Sequence, residues 1–216
     1  MAFQFLDSLF NIDPRVRLKP TNGNIYKLEE LDIAPLRARS YVELALDNGF
    51  VVKHDENFRV KNIFGAKRGI RSKSDFIVVS NLNGRTEYLV VELKARNYQI
   101  EKVRNQFICG TAMAEYCRRL GVDHEGDVAR FLNFDVYAVV LTNTVSEHKG
   151  TGINHDPTCL AFKKKCGPGT GVLCVNGHSV TLDQLRRNSI HVDISFSACN
   201  KFDTVVPYPG GPDEMN

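Results

Sequence analysis

No stretch of the 216 residues approaches the roughly 18 consecutive apolar side chains of a membrane-spanning helix, so no membrane partner is expected. A secretory leader is not expected either. The first residues, Met1-Ala2-Phe3-Gln4-Phe5-Leu6-Asp7, carry no basic side chain and no long apolar run. The expected setting is therefore cytoplasmic, with reduced thiols. Close cysteine pairs are missing too. Among Cys109, Cys117, Cys159, Cys166, Cys174 and Cys199 there is no C-x-x-C, so the group His155, Cys159, Cys166, Cys174 and His178 lacks the spacing of a zinc ribbon. The cysteines read as small apolar residues. Gly167-Pro168-Gly169-Thr170-Gly171 lacks the Lys-Ser/Thr ending of a phosphate loop. There is no internal repeat, low-complexity block, helix-turn-helix or zinc finger. Nor is there strong net charge: at +3, bulk electrostatics do not announce a nucleic-acid binder.

What is present is an ordinary globular composition, 43% hydrophobic and 25% charged, in a chain long enough for one good-sized core. The distribution of charge is more telling than its sum. From Arg59 to Ser74 the basic residues Arg59, Lys61, Lys67, Arg68, Arg71 and Lys73 occur with no acid among them, and the run leads straight into Asp75. Lys67, Arg68, Arg71 and Lys73 are candidate phosphate contacts, since backbone phosphates dominate nucleic-acid affinity. Lys163, Lys164 and Lys165 form a second basic patch.

Periodicity divides the chain into an N-terminal arm (1–34), a core (35–145), a C-terminal extension packed on that core (146–206) and a flexible tail (207–216). In the arm, Phe3, Phe5, Leu6, Leu9 and Phe10 suggest a short buried helix or a docking arm. Pro35 to Asn48 is expected to be a helix. Pro35 suits a first turn, Gly49 a position past the end, and Leu36, Glu43 and Leu46 share one face. Phe50 to His54 and Arg59 to Phe64 read as a strand pair or as one interrupted strand. Two more run from Ser74 and from Tyr88 to Ala95, with Asn81-Leu82-Asn83-Gly84 as a hairpin turn ahead of the second. Gln99 to Leu120 reads as a helix whose stripe is Val103, Phe107, Gly110, Ala114 and Cys117, small enough in the middle to lie close to a sheet. Asp135 to Leu141 is a further strand. Beyond it, Val172 to Val175 and His191 to Phe196 read as short strands around a helix from Leu182 to Arg187. The order helix, strand, strand, strand, helix, strand predicts an α/β fold with a mixed sheet flanked by helices.

Strand alternation puts Glu92 and Lys94 on one face, and the hairpin brings Asp75 near them. Two carboxylates beside a lysine at the ends of neighbouring apolar strands suit a Mg²⁺ or Mn²⁺ site for phosphodiester cleavage. Asp75 and Glu92 would be ligands, the Leu93 carbonyl a third oxygen, and Lys94 the group that orients water. Glu43, an acid on the apolar side of the expected first helix, would complete the cluster.

Ser74-Asp75 followed by Val91-Glu92-Leu93-Lys94, within that element order, resembles the PD-(D/E)XK nuclease superfamily over roughly Pro35 to Thr142. The resemblance implies a restriction-endonuclease-like αβββαβ core with an irregular C-terminal extension. It also implies a metal-dependent endonuclease with Asp75, Glu92 and Lys94 as its signature, Glu43 as the helix acid of several branches, and Gln106 as the glutamine that some branches place on the helix after the lysine strand. The proline that usually precedes the aspartate is here Ser74. DNA is favoured as substrate because it is commoner in that superfamily. An RNA endonuclease of the same core, a catalytically silent nucleic-acid-binding subunit and a homodimer stay open.

Overall fold

The computed structural model describes residues 2–10, 17–29, 41–54, 73–94, 99–125, 134–142, 166–175 and 179–192. Its elements, in order, are α1 (Ala2–Phe10), β1 (Ile25–Glu29), β2 (Tyr41–Ala45), β3 (Gly49–Lys53), β4 (Phe76–Leu82), β5 (Arg85–Lys94) and α2 (Ile100–Glu125). There follow β6 (Phe134–Thr142), β7 (Val172–Cys174), β8 (Ser179–Thr181), α3 (Leu182–Asn188) and β9 (Ile190–Val192).

The mixed sheet grows from the most local pairing in the chain. Asn83 and Gly84 both take positive φ, 51° and 84°, the conformation a two-residue hairpin turn demands. That turn sets β4 against β5 antiparallel, from Leu82 opposite Arg85 to Phe76 opposite Val91. β3 adds antiparallel to β4, and β6 adds parallel to β5 after the crossover through α2. The order is β3-β4-β5-β6-β7, with β9 antiparallel to β6. Since β5 occupies one edge of β6, β7 and β9 share the other. β4 and β5 are central and covered on both faces, so both are near-continuous apolar runs.

Two cores cover the two faces. On one side α1 and α2 lie on Phe50, Val52, Ile77, Val79, Tyr88, Val90, Val136, Ala138 and Val140. The α2 stripe Val103, Phe107, Gly110, Ala114 and Cys117 is buried throughout. Gly110 is required there: a Cβ would fall 2.4 Å from Val90 Cγ1 and 3.3 Å from Ser74 Oγ. On the other side a second sheet, β1-β2-β8, packs Tyr26, Leu28, Val42, Leu44 and Val180 against Val51, Phe76, Val78, Leu89, Val91 and Leu141. The architecture is therefore helices, mixed sheet and small sheet in three layers.

The helix expected over Pro35 to Asn48 is not formed where the structure describes it. Residues 41–45 are strand β2, whose alternating burial sends Val42 and Leu44 inward and Tyr41 and Glu43 the other way. Pairing with β1 and β8 decides it, and a period of two serves those residues better than 3.6. Gly49 does not cap a helix; a Cβ there would meet the Val79 carbonyl oxygen at 2.3 Å. The N-terminal helix that covers the mixed sheet is α1, and it lies on the opposite face from β2, beside α2. The strand expected at Arg59 to Phe64, residues 31–40 and the Lys163–Lys165 patch lie outside the described residues.

Candidate active site

β4 and β5 end together at the edge of the α2-covered face, and there the apolar run gives way to charge. Glu92 follows Tyr88 and Val90 on the face toward α2, and Lys94 follows Glu92. Asp75 stands immediately before β4, beside the Phe76–Val91 pair. The three are cross-linked. The Asp75 amide donates to Glu92 Oε2 at 3.1 Å, and the Leu93 amide donates to Asp75 Oδ2 at 2.7 Å. Lys94 Nζ forms an ion pair with Glu92 Oε1 and lies 3.9 Å from Asp75 Oδ2. The Glu92 side chain has no solvent exposure, and those of Asp75 and Lys94 retain 11% and 14%.

Burial sets the electrostatics. It pushes the Glu92 carboxyl up to about 8, with the Asp75 charge adding to the rise and Lys94 opposing it. Such a pair of acids is short of positive charge, which is the condition a divalent cation relieves. Two carboxylates beside a lysine suit a hard divalent cation such as Mg²⁺ or Mn²⁺, for which Asp75 and Glu92 would be the ligands. Leu93 contributes through its amide; its side chain is in the second core. Glu43 is not brought to this point. It lies on β2 in the other sheet, opposite Lys27 on β1 and Ser179 on β8. Among the described residues no group of three His, Cys, Asp or Glu side chains is placed to hold a metal.

Gln106 does come to the site's edge from α2. It is buried, and its Nε2 donates to the Lys73 carbonyl at 3.0 Å, while Oε1 accepts no hydrogen bond from a described residue. Of the four basic candidates, Lys73 is at the site, whereas Lys67, Arg68 and Arg71 lie outside the described residues. Cys166 and Cys174 are free thiols, and His155, Cys159 and His178 lie outside the described residues. The Gly167–Gly171 segment is a turn folded on itself, with Gly167, Gly169 and Gly171 at positive φ and Thr170 Oγ1 donating to the Gly167 carbonyl at 2.6 Å.

Sequence reasoning missed His54 and Thr142. His54 is opposite Asp75 at the end of β3. Its amide donates to the Asp75 carbonyl at 3.1 Å, and its Nδ1 is 2.8 Å from Ser74 Oγ. Burial first, and the Lys73 charge second, lower its pKa to about 4, so the ring is neutral near pH 7. Thr142 is buried opposite Lys94 on β6. The signal for His54 was a polar residue just past the apolar run Phe50–Val52; only the strand register shows what it faces. A second buried acid lies at the far end of the sheet. Glu87 accepts from Ser80 Oγ at 2.9 Å and pairs with Arg186 of α3 at 2.7 Å.

Comparisons with protein-family models, with curated proteins and with solved structures return no match.

Proposed function

We propose that the chain is a metal-dependent nuclease with a restriction-endonuclease-like core, Asp75 and Glu92 holding Mg²⁺ or Mn²⁺ and Lys94 positioning the attacking water. The observation that carries this reading is the contact of Asp75, Glu92 and Lys94 at the adjoining ends of β4 and β5. Element order lends support once β1 and β2, which belong to the other sheet, are set aside: α1, the meander β3-β4-β5, the crossover α2 and the parallel strand β6 then give the order αβββαβ.

Phosphodiester hydrolysis needs a deprotonated water in line with the leaving oxygen and relief of the charge that builds on phosphorus. A bound divalent ion supplies acidity for the water and charge for the phosphate. Lys94, with Nζ between the two carboxylates, is able to hold the water by hydrogen bonding and to face the developing negative charge. Glu92 must be ionised to bind a cation, so cleavage requires loss of its proton. Lys73, with the basic run before it, would meet the backbone of the nucleic acid. DNA is the favoured substrate, on the resemblance.

The test is cleavage of duplex DNA, single-stranded DNA and RNA with Mg²⁺, Mn²⁺ or EDTA, by the wild type, Lys94→Ala and Asp75→Ala. Metal-dependent cleavage that is lost in both folded variants supports the reading, and the panel names the substrate. Binding without cleavage under every condition would favour a silent nucleic-acid-binding subunit.

A further inference from the structure

The chain departs from its resemblance directly before Asp75, where Ser74 stands in place of a proline. A proline ring stiffens the backbone that presents the aspartate. Serine has no such stiffness, and Ser74 is wholly buried, so its hydroxyl must find a partner inside the protein. That partner is His54, itself buried, at 2.8 Å. Around it three backbone groups of the lead-in to β4 are held as well. The Lys73 carbonyl is held by Gln106 Nε2 at 3.0 Å, the Asp75 carbonyl by the His54 amide at 3.1 Å, and the Asp75 amide by Glu92 Oε2 at 3.1 Å. The absent Cβ of Gly110 leaves α2 close enough to wall in the Ser74 hydroxyl.

We propose that His54, through its Nδ1 contact with Ser74 Oγ, is a positioning residue for Asp75, doing by hydrogen bonding what a proline ring does by stiffness. This rests on the nuclease reading of the site. A buried histidine–serine pair adds little net stability over an apolar pair of the same shape. The position of this pair, adjoining Asp75 in sequence and across the strands, gives it a use that packing alone does not. The amide of asparagine reproduces Nδ1 of histidine, and that of glutamine reproduces Nε2, so the two substitutions separate the hydrogen bond from the bulk of the ring.

The experiment measures kcat and KM for cleavage, together with amide hydrogen exchange over residues 73–94 in metal-free protein, for wild type, His54→Ala, His54→Asn, His54→Gln and Ser74→Ala. Misplacing a catalytic group by about 1 Å costs on the order of 100-fold. His54→Ala, His54→Gln and Ser74→Ala are therefore expected to lower kcat ~10- to 100-fold with KM within ~2-fold, while His54→Asn recovers most of the rate. Exchange at Asp75 should rise in the same three variants and not in His54→Asn, with α2 and β6 unchanged. The proposal is overturned if His54→Asn is as impaired as His54→Ala. Wild-type rate and exchange in His54→Ala would overturn it as well. If the wild type cleaves nothing but exchange follows the expected pattern, the anchoring of Asp75 stands and the nuclease reading falls.

Discussion

A carboxyl group without solvent exposure, next to a second acid, lowers its energy by taking up a proton or by finding a cation. Glu92 has Lys94 as one cation and still sits at about 8, against an ordinary value of 4.5. Between those values the folded chain holds a proton that the unfolded chain has released, so this group's contribution to stability falls as pH rises to about 8. His54 acts in the opposite sense. Its pKa of about 4 against 6.5 makes stability rise with pH across that window, and the two contributions oppose one another up to 6.5. A net loss of stability is therefore expected between pH 6.5 and 8 in metal-free protein. Glu92→Gln should remove it and raise Tm at pH 8 above that of the wild type. Thermal melts across that range check this; an unchanged slope in Glu92→Gln would refute it. Asp75, Glu92 and Lys94 were legible from sequence because strand alternation and one hairpin are local rules. His54 was not, because its meaning comes from a partner strand and from a serine 20 residues away.

At the scale of elements, α2 tests how closely a helix approaches a sheet. Replacing a helical glycine with alanine ordinarily stabilises by about 1 kcal/mol. At Gly110 the new methyl would strike Val90, and Gly110→Ala is expected to destabilise by about 2 kcal/mol, as overpacked core sites do. Denaturant melts check the sign, and Val90→Ala should partly rescue Gly110→Ala. α3 is closed by a capping box in which Thr181 accepts from the Gln184 amide and Gln184 returns the bond. Thr181→Ala should cost about 1 kcal/mol. The α2 stripe was legible because five buried positions repeat at helical spacing. β2 was mistaken for a helix because Leu36, Glu43 and Leu46 fit a helical face while Val42, Leu44 and Leu46 alternate equally well. Only pairing with β1 and β8 separates the two periods, and that partnership is not written locally.

For the whole molecule, a ligand that binds the folded chain alone stabilises it by about 2.7 kcal/mol at 100 times its dissociation constant. Mn²⁺ is expected to raise Tm in the wild type and to leave Asp75→Asn unmoved. The rise should be larger at pH 8 than at pH 6, because Glu92 must release its proton to bind the ion. Calorimetry in buffers of different ionisation enthalpy would count that proton. The far end of the sheet offers the contrast of a buried acid paired with an arginine. Arg186→Leu strands Glu87 and should cost about 3–5 kcal/mol without changing the Mn²⁺ response.

The hairpin at Asn83-Gly84 also has a consequence in time. Its turn closes between neighbours in sequence, whereas the pairing of β5 with β6 must wait for 26 residues of helix and the residues beyond. A chain emerging from the ribosome can align Asp75 with Glu92 before the helix that will hide them exists. If the hairpin pairs first, the three charges would meet while still in water, where bringing them together is cheap, and would be dehydrated only when α2 closes over the sheet. Assembly would then precede burial, and the penalty for burying Glu92 would fall on a late step of folding.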